Sequence, residues 1–464
     1  MATDTAISLD EVPFGRFHAW MTACCAGGPF VTGYVLGNIA IALPVMSDTI
    51  EVSPMLSGLI GSGALLGAIF GSLIGGRLCD IFGRKRMYLI DFVFLTLISV
   101  VSFFVSSAAM CFVLRVLSGM GVGATFAISS PLLAEFAPQK NRGAVVTSQN
   151  LMWYLGYATA NVACYLMLGL GEGSWRWMLV SAAVPAAAWF ALCLRMPESP
   201  RWLESRGRME EVARVLAQVG PNVVLPPDPN TGKQQETASY ADIFRGGYGK
   251  WVLFVGMFWS ASVITTYALG TYTPTILASL GFGDGDMQYL GTALINMLYL
   301  IGVVPSFKLI DSAGRRPTLL ASLGLGSISL LIIGFTSNMG LPFWVVLVLF
   351  VMYGAANALG GAHQYVYPNE LFPTQVRATA MGLVTSISRI VSMIGTFLMP
   401  IIMGAIGVNA AIIMCGAVMA LGAVGTFIMA PETKDMNLTD ASSLAKGAEP
   451  APTTAPAMAA DRVR

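Results

Sequence analysis

The sequence predicts an all-α membrane protein with twelve transmembrane helices, arranged as two six-helix bundles related by pseudo-two-fold symmetry. Three observations predict it. Of 464 residues, 55% are apolar and 11% charged, with Gly 50 among them, whereas soluble globular chains carry about a quarter charged residues. Apolar runs long enough to cross a ~30 Å hydrocarbon core fall into two groups of equal size. Short charged motifs on one side recur in both groups. This composition argues against a soluble enzyme, and a formal net charge of +1 offers no basic surface to nucleic acid.

In chain order, residues 1–19 form an N-terminal segment. With Asp4, Asp10, Glu11 and a single arginine it lacks the basic start of a signal peptide, so the first apolar run is expected to persist as a helix. Residues 20–195 form the first bundle, with runs near 20–46, 54–76, 88–108, 110–135, 144–168 and 175–195. Residues 196–250 are the one long connection. Its RWLESRGRMEEVARVLAQV repeats apolar residues at helical spacing, and PNVVLPPDPNTGKQQ reads as a flexible joint. The second bundle, 251–430, holds runs near 251–277, 287–309, 318–337, 341–366, 378–405 and 408–430. Residues 431–464 form a tail, disordered where it becomes rich in Ala, Pro and Thr.

Orientation follows from the cations. Of 26 Lys and Arg, all but Arg115, Arg176 and Arg389 fall on the termini and on alternate connections. The positive-inside rule then puts both termini and the linker in the cytoplasm. The opposite connections are short and carry no N-x-[ST] sequon, which points to a bacterial cytoplasmic (inner) membrane. The seven cysteines are scattered through apolar runs without metal-ligand spacing, and small apolar filler is the expected role. Neither a metal nor a cofactor is expected, and no G-x-x-x-x-G-K-[ST] is present for ATP.

Asp80, Gly83 and Arg84 in GRLCDIFGRKRM recur as Asp311, Gly314 and Arg315 in FKLIDSAGRRP. Glu135 and Arg142 in AEFAPQKNRG recur as Glu370 and Arg377 in NELFPTQVRA, and PES at 197 recurs as PET at 431. The offset is nearly constant, so the halves are parallel repeats about an axis along the membrane normal. Acids and arginines at these helix ends are expected to pair across the halves and hold one face shut. Asp80, Arg84, Glu135, Arg142, Asp311, Arg315, Glu370 and Arg377 are the gate candidates.

GRLCDIFGRKRM resembles the G-x-L-x-D-x-x-G-R-[KR] loop after the second helix of the major facilitator superfamily. RVLSGMGVGA resembles its fourth-helix arginine and glycines, and PESPRWLESRGR and PETK resemble the ends of the sixth and twelfth helices in its sugar-porter branch. The likeness spans about residues 16 to 435. It implies the major facilitator fold and a secondary transporter working by alternating access. The partners expected on that reading are a small-molecule substrate, a proton and the lipid bilayer, with the chain a monomer.

Charges inside the spans indicate the substrate class, because a charge at mid-depth costs about 2.5–3.5 kcal/mol and must face the bundle interior. Arg389 lies eleven residues after Ala378, about 16 Å along a helix and near mid-membrane. Arg115 lies nearer the opposite end of its span. By the same arithmetic no carboxylate reaches Arg389's depth, so an electropositive cavity is expected, suited to a carboxylate gripped bidentately. TSISRIVSMIGTFLMP resembles the eleventh helix of organic anion transporters and aromatic-acid symporters, which implies an organic anion, with aromatic acids among the candidates.

Other polar residues expected at the cavity are Asn38, Gln149, Asn150, Tyr267, Tyr272, Asn296, Asn357 and Gln364. Helix one reads FVTGYVLGNIA where aromatic-acid symporters show D-G-x-D, so Thr32 and Val35 stand at the acidic positions. That leaves His363, Asp91 and Glu135 as the proton-coupling candidates. Two rival readings remain: a sugar or polyol transporter, and a non-transporting sensor on the same fold.

Overall fold

The computed structural model describes residues 7–140, 142–225, 240–245, 247–283, 285–372 and 374–434. Most of the joint expected in the linker, and the tail beyond residue 434, lie outside the described residues. Eleven helices among those described are long and apolar enough to cross a membrane, and the shorter apolar stretch Met287–Val303 supplies the twelfth.

In the first half, span one comprises α1 (Arg16–Gly37) and α2 (Ile39–Ser47), spans two to five are α3 (Pro54–Phe82), α4 (Arg84–Val101), α5 (Ala108–Phe136) and α6 (Arg142–Met167), and span six comprises α7 (Ser174–Val180) and α8 (Ala183–Cys193). Two short helices, α9 (Pro200–Ser205) and α10 (Met209–Val219), form the linker, and α11 (Tyr240–Arg245) leads into the second half. There, spans seven to nine are α12 (Gly249–Leu277), α13 (Met287–Ala313) and α14 (Arg315–Thr336). Span ten comprises α15 (Phe343–Gly361) and α16 (His363–Leu371), and α17 (Thr374–Ile406) and α18 (Val408–Met429) complete the set.

The helix ends follow local chemistry. Ser53 and Ser107 accept from the amides of Leu56 and Met110 at the starts of α3 and α5, satisfying first-turn N–H groups. The turns joining α3 to α4 and α13 to α14 are single glycines, Gly83 (φ 101°) and Gly314 (φ 96°), a backbone region that a side chain disfavours. In α1, Pro29 has no N–H for the Cys25 carbonyl. The Tyr88 hydroxyl donates to that carbonyl (3.0 Å) and accepts from the Gly28 amide (2.7 Å), so α4 repairs the break.

Packing repeats the pseudo-symmetry that the sequence duplication predicts. Span one packs on five, two on four and three on six; in the second half seven packs on eleven, eight on ten and nine on twelve. Between halves, span two meets eleven and span five meets eight. Large apolar side chains such as Leu97, Leu166, Val184, Leu325, Leu421 and Ile428 are exposed on the outside, as lipid-facing positions require. All seven cysteines are free and buried.

Three features depart from the expected elements. Spans one, six and ten each carry a short irregularity in their helical hydrogen bonding, at Asn38 in the first and Ala362 in the last, while the backbone there stays right-handed helical. A two-residue parallel pair, β1 (Ile7–Ser8) with β2 (Val223–Val224), ties the N-terminal segment to the linker. It is too short to carry a strand period in the sequence. Tryptophans near span ends ordinarily sit at the lipid headgroup level, yet Trp175 and Trp251 are buried; the Trp175 indole donates to the Thr49 hydroxyl at 2.9 Å.

Candidate functional site

Between the two bundles lies a central cavity. The first half contributes Pro29 from α1, Phe126 and Ser130 from α5, and Gln149, Asn150, Trp153 and Tyr154 from α6. The second contributes Ser262, Val263, Thr266 and Tyr267 from α12, Gly361 and Gln364 from span ten, and Arg389 from α17. Residues 149, 150, 153 and 154, like 262, 263, 266 and 267, recur at three and four, so each set shares one helix face.

Arg389 is the one charged side chain among the described residues lining this cavity. Its Nη1 donates to the Tyr267 hydroxyl at 2.7 Å. The guanidinium carbon also sits 5.5 Å from the centre of the Phe126 ring and 5.7 Å from that of Tyr267, within cation–π range. Phe126 belongs to the other bundle, so the cation contacts both halves. Trp153 meets Tyr267 edge-on at 6.2 Å. Gln149 accepts from the Ser130 hydroxyl, while its Nε2 has no hydrogen-bond partner. The walls are therefore aromatic, the polar groups are amides and hydroxyls, and one cation faces in.

Of the residues expected here, Arg389, Gln149, Asn150, Tyr267 and Gln364 line the cavity. Asn296 and Asn357 line a smaller adjoining one with Trp153, Tyr154 and Thr266; the Asn357 amide donates to Thr266 at 2.6 Å and accepts from Ser262 at 2.7 Å. Arg115 and Asn38 line a separate cavity inside the first bundle. Tyr272 reaches across the halves, donating to the Ser57 carbonyl at 2.9 Å. Phe126, Trp153 and Tyr154 were not singled out by the sequence. The signal was there for the last two, which continue the helical arc of Gln149 and Asn150.

The proton-coupling candidates separate as clearly. His363 is buried in the second bundle, its Nε2 within 2.8 Å of the Thr318 hydroxyl and 3.0 Å of the Arg315 carbonyl. Glu135 belongs to the charged face described next. Asp91 is buried between α4 and α5, where it accepts from Thr125, the neighbour of cavity-lining Phe126.

Among the described residues, the gate candidates that form ion pairs do so within each bundle, not across the halves as expected. In the first, Arg84 is ion-paired with Glu135, which also accepts from the Ser199 hydroxyl. Glu198 accepts from the Lys85 amide at 2.9 Å, capping α4. In the second, Arg315 pairs with Glu370 at 3.2 Å, Thr433 donates to Glu370, and Glu432 accepts from the amides of Arg315 (3.0 Å) and Arg316 (3.1 Å). The PES and PET segments fold back under the glycine turn of their own half, which brings these partners together. Asp80 is exposed, with its backbone carbonyl accepting from Trp202 and Arg206 at 3.0 and 2.7 Å. The Arg377 Nε donates to the Phe372 carbonyl at 2.9 Å. The side chains of Arg142 and Asp311 lie outside the described residues.

At the opposite face the halves touch closely. A Cβ on Gly58 would land against the Phe397 carbonyl, and one on Gly61 would stand 2.6 Å from the Tyr272 hydroxyl. On that side the two halves are thus in close contact through small residues.

Two pseudo-symmetric helix bundles around a polar, aromatic-walled cavity define a membrane transporter. The chain belongs to the family described as "Sugar (and other) transporter", within the major facilitator superfamily; the match covers residues 20–444. Among similar proteins, the putative metabolite transport protein YaaU of Escherichia coli is 33% identical over 438 residues, 94% of this chain and 97% of that one. The inner membrane metabolite transport protein YgcS of the same organism is 30% identical over 442 residues, again 94% and 97%. In fold, the chain is similar to the inward-open xylose transporter XylE from E. coli, with a TM-score of 0.76 at 21% identity over 92% of this chain and 99% of that one.

Proposed function

We propose that this transporter moves a small organic carboxylate, an aromatic acid fitting best, by alternating access coupled to protons. The observation that carries the reading is Arg389: the charged side chain of the cavity wall, held by Tyr267 and flanked by aromatic rings from both bundles. A guanidinium on the wall of an aromatic cavity can grip a carboxylate bidentately, and the rings of Trp153, Tyr154 and Phe126 suit a planar apolar body. We place the proton on Asp91, a buried carboxylate that no cation pairs with among the described residues. The linker face, with both termini, is assigned to the cytoplasm of a bacterial inner membrane.

A sugar or polyol is the second reading. It is favoured by the amides and hydroxyls of Gln149, Asn150, Gln364, Ser262 and Thr266 on the cavity wall and by the family's name. Dissociation constants of benzoate-type and sugar-type compounds on purified protein distinguish the two. Under the carboxylate reading, Arg389→Ala weakens carboxylate binding by roughly 30-fold to several thousand-fold, the ~2–5 kcal/mol of a lost desolvated partner. Arg389→Lys restores part of it, since charge returns without the fork. Wild-type carboxylate affinity in folded Arg389→Ala protein would overturn this reading.

A further inference from the structure

Inside the first bundle, apart from the central cavity, Arg115 projects from α5 into a small gap beside Val35, Asn38 and Ser102. It is only 5% exposed. One Nη donates to the Val35 carbonyl at 2.7 Å, but Nε and the other Nη have no hydrogen-bond partner. Asn38, which uses its Nδ2 on the Met178 carbonyl at 3.3 Å, leaves Oδ1 without one. The nearby hydroxyls donate to their own helices, Ser99 to the Leu95 carbonyl at 2.7 Å and Ser102 to that of Ile98 at 2.8 Å, and neither accepts from the two unmet N–H groups of Arg115. Among the described residues no carboxylate pairs with Arg115.

A guanidinium keeps its proton even when buried, and a buried charge without a counter-charge is strongly destabilising. Two unmet N–H donors on one guanidinium form a fork that can close on a single acceptor. The gap leaves about 20 Å³ for the centre of a water-sized sphere, which is room for one water or one monatomic ion and too little for a carboxylate-bearing metabolite. A water would meet the hydrogen bonds and leave the charge. We propose that this gap is a site for one small monovalent anion of chloride size, which neutralises Arg115 within the first bundle and is separate from the transported substrate.

The test uses purified full-length protein in detergent, with sodium methanesulfonate replaced stepwise by chloride or bromide at constant ionic strength. The unfolding midpoint is expected to rise saturably by a few degrees with either halide, and Arg115→Gln to abolish that response while Arg389→Ala retains it. Should Arg115→Gln not fold, anomalous scattering from bromide-soaked wild-type crystals locates the ion directly, and a peak beside the Arg115 guanidinium is expected. No halide-specific rise in the wild-type midpoint, or only a water in the gap of bromide-soaked crystals, would overturn the proposal.

Discussion

At the scale of single residues, the informative side chains are those whose charge conflicts with their surroundings. Arg389 was legible because an arginine amid an apolar run must face the interior. Arg115 was just as visible, yet it sits in a different cavity. Counting residues gives depth along a helix, whereas its direction around the axis is set by which neighbours pack there, and for Arg115 those are α1 and α4. Two outcomes follow at this scale. Tyr267→Phe removes the hydroxyl that accepts from Arg389 at 2.7 Å. A hydrogen bond to a charged group contributes about 1.5–3 kcal/mol, so carboxylate affinity is expected to fall at least tenfold with the fold intact; an unchanged dissociation constant would show that the hydroxyl does not orient the arginine. Asp91→Asn holds the carboxylate position permanently neutral. It should abolish accumulation driven by a pH gradient but spare substrate exchange across loaded vesicles, and pH-driven uptake at the wild-type rate would move the proton elsewhere.

At the scale of elements, apolar length sufficed to place the spans, because a hydrocarbon core demands it. The local irregularities at Asn38 and Ala362 were hidden for the same reason: apolar length reports a span and not its hydrogen bonding. The repeated charged motifs were legible as repeats, though their partners were misjudged. Sequence shows that Glu135 and Glu370 stand at helix ends; only the fold-back of the PES and PET segments explains why each meets its own bundle's arginine. These networks brace the glycine turns. At Gly83 and Gly314 φ is 101° and 96°, and a Cβ would stand 2.5 and 2.8 Å from oxygens of Glu198 and Glu432. Gly83→Ala and Gly314→Ala should therefore each destabilise the protein by about 1–3 kcal/mol, seen as a lower unfolding midpoint with substrate affinity kept. Glu135→Gln loosens the turn without touching the cavity, so turnover should slow while the dissociation constant stays within a few-fold. A wild-type transport rate in that variant would separate the network from the transport cycle.

For the whole molecule, the duplication visible in the sequence reappears as matched packing of three helix pairs in each half, with spans two and eleven and spans five and eight crossing between halves. What the sequence did not reveal is where the halves are shut. The expectation put charge pairs across the linker face. The structure instead brings the halves into close contact at the opposite face, where Gly58 lies against the Phe397 carbonyl and Tyr272 bonds to Ser57. Small-residue contacts leave little trace in a glycine-rich membrane chain, because the same residues also pack helices within a bundle; Gly67 and Gly119 do so between α3 and α5. If alternating access requires this seam to close and reopen, a side chain at Gly58 should hold it apart. Gly58→Leu is expected to slow transport by about fivefold or more, since overpacking of this kind costs about 1–3 kcal/mol. Its effect on access can be read separately with Ser130→Cys, on the cavity wall. An impermeant thiol reagent applied at the face opposite the linker should label Ser130→Cys faster in the Gly58→Leu background than alone, because the held-open seam admits it. Equal labelling in the two backgrounds would mean that this seam is a fixed contact and that the moving gate lies elsewhere.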